Sequence, residues 1–221
     1  SAGASHGIIV IAERQTAARG RRGRSWESPK GGAWMGILLR DNLPENTISC
    51  TSIVAAVGVA RALNEHYNLP AKIKWPNDIL LYNKKLCGIL CELTTQGSKI
   101  GALSLGIGVN VNNSVPNAAR MDAISVSNVT GYDVDLQEFY GIVLRSFAET
   151  YTEFQNKGFG PIKSSWKELS ALGNRVWVHQ NEERVAADVV GMSDGGSLIV
   201  KIDGVTRELI AEDVSLSLPE N

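Results

Sequence analysis

The apolar positions of the chain follow two patterns, and the change between them comes near residue 172. Before that point, long stretches with apolar residues on one helical face are interspersed with short apolar runs. After it, short runs separated by glycine-containing turns remain. Because strands and helices do not alternate strictly in the first part, the pattern predicts an α+β fold rather than a doubly wound one.

The first part is predicted to hold two long helices and several strands. One helix covers residues 48–67, where Ser49 or Thr47 is the expected cap, and the other begins near Asp135, which is predicted to form a capping box with Glu138. The predicted strands are residues 8–12, 33–39, 71–75, 79–82, 86–93 and 102–111. The first of them is a β-branched run, which favours a buried strand, and the sheet they form is expected to be mixed.

The second part is predicted to consist of short strands alone. They are residues 176–178, 185–190, 198–202, 205–210 and 214–218, with Asp-Gly turn signals between some of them. Short strands in such close succession predict a small barrel of the SH3-like kind. We therefore predict a main domain over residues 1–172 and a small C-terminal domain over residues 173–221.

Composition and charge exclude several classes of protein. No apolar run approaches the roughly 20 residues that a membrane span needs, so no membrane partner is expected. The formal net charge of -1 disfavours a chain that binds nucleic acid over its whole surface. Three cysteines are an odd number and do not suggest a disulfide framework, so a reducing compartment such as the cytoplasm is expected.

Positive charge is concentrated in residues 15–26, where four arginines fall within six residues. Arginine presents a planar fork that matches phosphate and carboxylate oxygens, and the interspersed glycines let the backbone approach a ligand closely. The segment therefore predicts a loop that wraps an anion, with Trp26 beside it to cover a flat ring. Taken alone, it is as compatible with a nucleic-acid patch or a solvated basic loop.

Residues 74–78 read Lys-Trp-Pro-Asn-Asp, so a predicted strand ends at a proline that is followed by an amide and a carboxylate. Oxygen ligands of this kind suit Mg²⁺ on a triphosphate, and Asn77 and Asp78 are the candidate ligands. The same residues readily form a plain turn, which is the alternative interpretation.

Two further segments suggest contacts with a ligand. Lys85 stands where a strand begins, from which an ammonium can reach a pocket, although a lysine in a hairpin can equally face solvent. Gly106 and Gly108 allow close approach to a strand, and Asn110 can read the edge of an adenine; a β-bulge is the structural alternative. No segment pairs a nucleophile with a base, so the site is expected to act by positioning and charge stabilisation.

Together these segments closely resemble the biotin–protein ligase family. The Arg-Gly-Arg-Arg-Gly-Arg loop, the Lys-Trp-Pro-Asn-Asp pentapeptide and the Lys-Leu-Cys-Gly-Ile-Leu strand carry the resemblance, which extends from about Ile8 to the C-terminus. It implies ATP, biotin and Mg²⁺ as cofactors, all bound by the main domain. It also implies two half-reactions: formation of biotinyl-5′-AMP, and transfer of biotin to a lysine of a biotin carboxyl carrier domain.

The resemblance further implies roles for individual residues. Gln15 would hydrogen-bond biotin, while Arg19, Gly20 and Arg21 would form a loop over biotin and the phosphate. Lys85 would contact the biotin carboxyl oxygen and stabilise the transition state, so Lys85, Arg19 and Arg21 are the predicted catalytic residues. The other predicted binding residues are Trp26, Gly106, Gly108 and Asn110, with Asn77 and Asp78 for the metal.

The sequence departs from the family pattern at two places. Ala18 stands where the family's loop opens with a glycine, and the Ser/Thr-Thr-Asn element that contacts the biotin ring in the family is not among these residues. No winged helix precedes the loop, so the chain as given is not expected to bind DNA, and a homodimer is left open.

Two other functions are compatible with parts of the sequence. A lipoate–protein ligase is similar in catalytic fold, but the arginine-rich loop together with Lys-Trp-Pro-Asn-Asp favours biotin. A nucleic-acid-binding module could use the basic loop and the barrel, but its affinity would then fall steeply with salt, and the net charge of -1 speaks against it.

Overall fold

The computed structural model describes residues 4–40, 47–96, 99–115, 123–180, 183–211 and 215–218. The helices are α1 (Thr47–His66), α2 (Val126–Thr130), α3 (Leu136–Lys157) and α4 (Phe159–Leu169). The strands are β1 (Ile9–Ala12), β2 (Ala33–Leu39), β3 (Lys72–Lys74), β4 (Asp78–Leu81), β5 (Lys84–Gln96), β6 (Lys99–Val109), β7 (Arg175–Gln180), β8 (Glu183–Met192), β9 (Leu198–Ile202), β10 (Val205–Leu209) and β11 (Ser215–Ser217).

The first six strands form one sheet in the order β1-β2-β6-β5-β4-β3. Neighbouring strands in it pair antiparallel, and the parallel pairs described are single bridges such as Lys85 with Ala123, so the predicted mixed sheet is almost wholly antiparallel. The hairpin between β4 and β5 turns at Tyr82 and Asn83, both of which have positive φ. That turn confirms the predicted hairpin. Lys85 is the second residue of β5, the strand that follows the turn.

The helices cover one side of this sheet. Residues 50–60 of α1 are buried without interruption, because β5 and β3 contact the helix on one side and α3 and α4 on the other. Arg61 joins α1 to α3 and α4, because its guanidinium donates to Glu153 Oε2 (3.2 Å) and Ser165 Oγ (2.7 Å). Asp135 caps α3, and its carboxylate accepts from the backbone amide of Glu138. Among the described hydrogen bonds, the return contact from the Glu138 side chain that a capping box requires is not present. The predicted caps of α1, Ser49 or Thr47, both lie inside the helix, and the residue that precedes it lies outside the described residues.

The prediction that the first apolar run is a buried strand is wrong. It does form a strand, β1, but Val10 is 63% exposed, and Ile8, Ile9 and Ile11 are also exposed. β1 lies at the edge of the sheet, where it pairs with β2 alone. A run of β-branched residues therefore indicated the strand correctly but not its burial, because burial depends on what covers the strand.

The last five strands form a second antiparallel sheet in the order β10-β9-β8-β7-β11. Each of the predicted C-terminal strands has a counterpart in it, and the architecture is α+β with a small terminal β-unit, as predicted. Among the described residues no pairing joins β10 to β11, so the sheet order does not itself close a barrel. The predicted boundary near Gly173 lies between α4 and β7, and the division into two domains stays a prediction.

The second sheet contacts the first part of the chain closely. The buried indole of Trp75 donates to the carbonyl of Gly196 (3.0 Å), and Lys163 pairs with Asp194 (2.6 Å). Cys50, Cys87 and Cys91 carry free thiols, consistent with the predicted lack of a disulfide framework. None of the described helices combines the length and apolar character that crossing a membrane requires.

Candidate active site

An open cleft of about 1740 Å³ lies between the arginine-rich loop, the strands β4 to β6 and the start of the second sheet. Pockets for one drug-sized ligand measure roughly 300–1,000 Å³, so this cleft has room for two small ligands side by side. All but one of the predicted site residues line it. They are Gln15, Arg19, Gly20, Arg21, Trp26, Asn77, Asp78, Lys85, Gly106 and Gly108.

The arginine-rich loop is folded back on itself like a small hairpin. Gly20 donates its amide to Arg24 (2.7 Å), and Trp26 donates to the carbonyl of Ala18 (3.2 Å). At the tip, Arg22 has a φ of 59°, a left-handed conformation that is unfavourable for a residue with a side chain. At the base, the Ser28 hydroxyl donates to Gln15 Oε1 (2.8 Å). The loop therefore has a defined shape while Arg19 remains exposed.

Arg21 joins the loop to two other parts of the protein. Its guanidinium donates to Asn77 Oδ1 at 3.1 Å and, through the other terminal nitrogen, to the carbonyl oxygen of Ala211. Asn77 in turn donates its amide to the carbonyl of Ile89 on β5 (2.8 Å). Because this series of hydrogen bonds ends on a backbone carbonyl at each side, Arg21 is fixed at the border between the first sheet and the second.

Lys85 lies on the other side of the cleft. Its ammonium is 2.6 Å from Asp78 Oδ1, and both side chains are largely buried, at 21% and 15% exposed. The ammonium also lies 5.0 Å from the centre of the Trp26 ring, within cation–π range. Lys74 is nearby, and burial lowers the pKa of its ammonium, an effect that Asp78 opposes and Lys85 and Arg24 reinforce. The cleft thus gathers several cations around one carboxylate.

Trp26 lies against a floor of glycines. Gly88 on β5 and Gly108 on β6 are direct partners in the sheet, and a Cβ added at Gly108 would come within 3.0 Å of the Trp26 indole nitrogen. Trp26 also meets Trp34 edge to face, with ring centres 6.5 Å apart. Its indole N–H is buried and donates no hydrogen bond among the described residues, which ordinarily costs about 1–3 kcal/mol. Such an orphan donor is a natural contact for a bound ligand.

Asn110 is the predicted residue that does not line the cleft. It is 5% exposed at the end of β6, where its Oδ1 accepts from Asn113 Nδ2 (3.1 Å) and its backbone carbonyl accepts from Val126 of α2. In this position Asn110 joins β6 to the start of α2. Its role in binding adenine stays a prediction. That role would require the Asn110 side chain to give up its hydrogen bond with Asn113 and to bond to the adenine instead.

The residues predicted to bind Mg²⁺ do not fit a metal in this arrangement. Mg²⁺ requires near-octahedral oxygen ligands, but Asn77 Oδ1 is taken by Arg21, and Asp78 Oδ1 faces the Lys85 ammonium. The described residues hold no group of three or more histidines, cysteines or carboxylates that could bind a metal. The metal assignment stays a prediction that this geometry does not favour.

Sequence reasoning missed two components of the site. Lys74 was treated only as part of a motif, although it lines the cleft and lies close enough to Asp78 to interact with it. Its burial between two cationic neighbours could not be read from local sequence. Ala211 was not predicted either, because a backbone carbonyl that accepts from Arg21 leaves no trace in the sequence.

Comparison with known proteins identifies relatives of this chain. Residues 1–110 match the model of the biotin/lipoate A/B protein ligase family. The biotin–[acetyl-CoA-carboxylase] ligase of Paracoccus denitrificans is 33% identical over 207 residues, covering 90% of this chain and 86% of that protein. The bifunctional ligase/repressor BirA of Bacillus subtilis is 31% identical, covering 96% and 67%. The chain belongs to the biotin–protein ligase family.

A solved structure extends the similarity to the whole fold of this family. Biotin protein ligase from Aquifex aeolicus, in complex with biotin and ATP, superposes with a TM-score of 0.87 at 31% identity, covering 98% of this chain and 91% of that one. Both sheets described above are therefore part of a biotin–protein ligase fold.

Proposed function

We propose that this cleft joins biotin to ATP and then passes the biotinyl group to a lysine of a biotin carboxyl carrier domain. In the first step a biotin carboxylate oxygen bonds to the α-phosphorus of ATP, and the bond from that phosphorus to the bridging oxygen of the β-phosphate breaks. The products are biotinyl-5′-AMP and pyrophosphate. In the second step the lysine amine attacks the acyl carbon, AMP leaves, and the amine loses a proton to solvent.

The observation that carries this proposal is the placement of Arg21 and Lys85 in one cleft, one on the loop and the other on the strand floor. Both half-reactions gather negative charge near the α-phosphate. Preorganised cations in a site that excludes water stabilise such charge strongly. Lys85, on the floor of the cleft, stabilises the transition state. Arg19 and Arg21, on the loop, bind the phosphate.

The remaining residues position the two substrates. Gln15 hydrogen-bonds biotin once its side chain exchanges the Ser28 hydroxyl for the ligand. Gly20 and Gly106 let ligands approach the backbone of the loop and the floor, and Gly108 makes room for the Trp26 indole. Trp26 covers the adenine side and offers its buried indole N–H. When bound with ATP, Mg²⁺ would neutralise phosphate charge, and the proposal requires no metal ligand from this chain.

Isotope exchange between ATP and pyrophosphate tests the first step. With Mg-ATP present, exchange should depend on added biotin and should not be supported by lipoate. Exchange supported by lipoate and not by biotin would instead identify a lipoate–protein ligase. If neither biotin nor lipoate supports exchange, the enzyme does not form an adenylate with either of them, and the first step is contradicted.

The second step is tested with a purified carrier domain. Biotin should appear on one lysine of that domain, as seen by intact-mass spectrometry, and should not appear when that lysine is changed to arginine. We further propose that the enzyme acts in the cytoplasm without binding nucleic acid. A homodimer is a separate proposal, which sedimentation equilibrium with and without biotin and ATP tests.

A further inference from the structure

Asn77, the last residue of a turn, and Asp78, the first residue of β4, touch both cationic sides of the cleft. The Asn77 amide oxygen accepts from Arg21 (3.1 Å), and the Asp78 carboxylate lies 2.6 Å from the Lys85 ammonium. Each residue of this dipeptide therefore faces one of the side chains to which the proposed function assigns the chemistry.

Asp78 pairs with Lys85 in largely buried surroundings. The Oδ1 atom is buried and, apart from this ion pair, accepts no hydrogen bond among the described residues. The residue is paired with Lys74 on β3 and with Gly88 on β5 in the sheet, so its backbone is fixed on both sides. A fixed carboxylate at this distance determines where the lysine ammonium lies.

Asp78 lies beside two lysines. Its carboxylate pairs with the Lys85 ammonium, and Lys74 is its cross-strand partner on β3. Without Asp78, the Lys85 ammonium would lose this ion pair in a largely buried position. The carboxylate thus holds Lys85 on the floor of the cleft, where an incoming carboxylate or phosphate can reach it.

We propose that Asp78 and Asn77 are positioning residues, Asp78 for Lys85 and Asn77 for Arg21, and that neither is a metal ligand. This inference rests on the proposed function, because Lys85 and Arg21 are assigned their chemistry there. Asp78 acts on the reaction only through the lysine that it holds. A metal ligand, by contrast, would act whether or not Lys85 is present.

A double-mutant cycle with Asp78→Asn and Lys85→Ala distinguishes these two roles. Asp78→Asn should lower kcat for adenylate formation by about 10- to 100-fold, since misplacing a reacting group by about 1 Å can cost 10²-fold. The KM for Mg-ATP should stay within about threefold of wild type. In the Lys85→Ala background, Asp78→Asn should cause no further loss.

A magnesium titration supplies the second readout. If Asp78 positions Lys85, the Mg²⁺ concentration that gives half-maximal rate is the same in wild type and Asp78→Asn. A raised Mg²⁺ requirement, together with a further loss in the Lys85→Ala background, would overturn the inference and restore the metal assignment. An unchanged kcat for Asp78→Asn would also overturn it.

Two other variants control for loss of structure. Asp78→Glu keeps the carboxylate on a longer side chain, so its kcat should lie between wild type and Asp78→Asn; a kcat no better than that of Asp78→Asn counts against a charge-holding role. Glu153→Gln removes another partly buried carboxylate, paired with Arg61 away from the cleft, and should leave kcat unchanged. If Glu153→Gln lowers kcat as much as Asp78→Asn does, the effect is structural.

Chemical labelling separates this inference from the proposed function. Acetylation of Lys85 by an N-hydroxysuccinimide ester, followed by peptide mass spectrometry, requires no biotin chemistry. Asp78→Asn should raise the labelling rate of Lys85 severalfold relative to exposed Lys201. A wild-type enzyme without biotin-dependent exchange would refute the proposed function, whereas equal Lys85 labelling in wild type and Asp78→Asn would refute the positioning role.

Discussion

The two sides of the cleft are built in opposite ways. The floor consists of β5 and β6, which pair from Cys87 with Val109 to Gln96 with Lys99 along an antiparallel ladder with one register shift, between Thr94 and Thr95. The loop above it is held by single bridges, Gln15 with Ser28 and Arg19 with Ser25, and by a few backbone hydrogen bonds. Its arginines repel one another, and Arg22 adopts an unfavourable backbone conformation.

This contrast suggests a division of labour between the two sides. A group on a strand that pairs with neighbouring strands can be held in place before substrate binds, which a transition-state contact requires. A loop with few internal contacts can open for substrates and close over a reactive intermediate. Lys85 should therefore govern the rate of the chemistry, and Arg19 and Arg21 of the loop should govern how long the adenylate stays bound.

The largest effect is expected from removing the floor cation. Lys85→Ala should slow adenylate formation by about 10²–10³-fold, because one transition-state contact is lost, and should leave the fold intact. Pyrophosphate exchange measures the rate, and circular dichroism checks the fold. Lys84→Ala, a change at the exposed neighbouring lysine, is the matched control and should have little effect. Exchange within about threefold of wild type in Lys85→Ala would remove Lys85 from the mechanism.

The next effect concerns retention of the adenylate by the loop. Arg21→Gly removes a charge-assisted hydrogen bond of about 1.5–3 kcal/mol, so the adenylate off-rate should rise by roughly one to two decades. Synthesis should persist in part because Lys85 and Arg19 remain. Released adenylate should label bystander proteins such as serum albumin, visible on a streptavidin blot.

The matched control for this prediction is Arg22→Gly. It also replaces an arginine with glycine in the same loop, but it leaves the Arg21 contacts with Asn77 and Ala211 in place. Its off-rate should stay close to wild type. If Arg21→Gly still makes adenylate and holds it as long as wild type does, Arg21 does not guard the intermediate.

A smaller effect is expected from adding a methyl group to a glycine of the floor. In Gly108→Ala the added methyl group would come within 3.0 Å of the Trp26 indole and 3.3 Å of Trp34, so a ring must shift. Overpacking of this kind costs about 1–3 kcal/mol of stability, measurable by thermal unfolding. The exchange rate should also fall, by less than in Lys85→Ala. Gly36→Ala adds a methyl group 4.0 Å from its nearest neighbour and should be close to neutral. Equal effects of the two substitutions would contradict the proposed contact.

The smallest effect is a change in hydrogen exchange. Biotin and ATP should slow amide exchange across residues 17–25 severalfold and should leave residues 86–92 of the floor almost unchanged. The reason is that the loop gains contacts on closure, whereas the floor amides are already bonded in the sheet. Equal protection of the loop with and without ligands would show that its conformation is fixed beforehand.

The sequence was most informative where the requirement is local. The helical spacing before Tyr67, the Asp135 cap and the turn after Leu81 each depend on neighbouring residues, and each is present in the structure. The exposure of Val10 was not predictable, because burial depends on which element covers the strand. Similarly, α2 was missed: it is a single short helix capped by Ser125, in a segment without a repeating apolar pattern.

The candidate site was predictable in its members but not in its pairings. Gln15, Trp26 and Lys85 could be proposed from motifs, and all three line the cleft. That Asp78 faces Lys85 depends on the register of β4 and β5 and on the bulge between Ile79 and Leu80, which no local pattern specifies. Asn77 and Asp78 were therefore predicted to bind a metal from their chemistry and from the family resemblance, whereas their neighbours in the cleft are the basis of the positioning role proposed above.

The contact between Arg21 and Ala211 has a thermodynamic consequence. A free energy of coupling between two sites is the same in both directions. If a bound adenylate strengthens the hydrogen bond from Arg21 to the Ala211 carbonyl, the adenylate must raise the free energy of unfolding of the second sheet by the same amount. Conversely, a substitution that loosens the end of that sheet must weaken adenylate binding, although it touches neither substrate. The small C-terminal sheet thereby becomes an energetic partner of the active site.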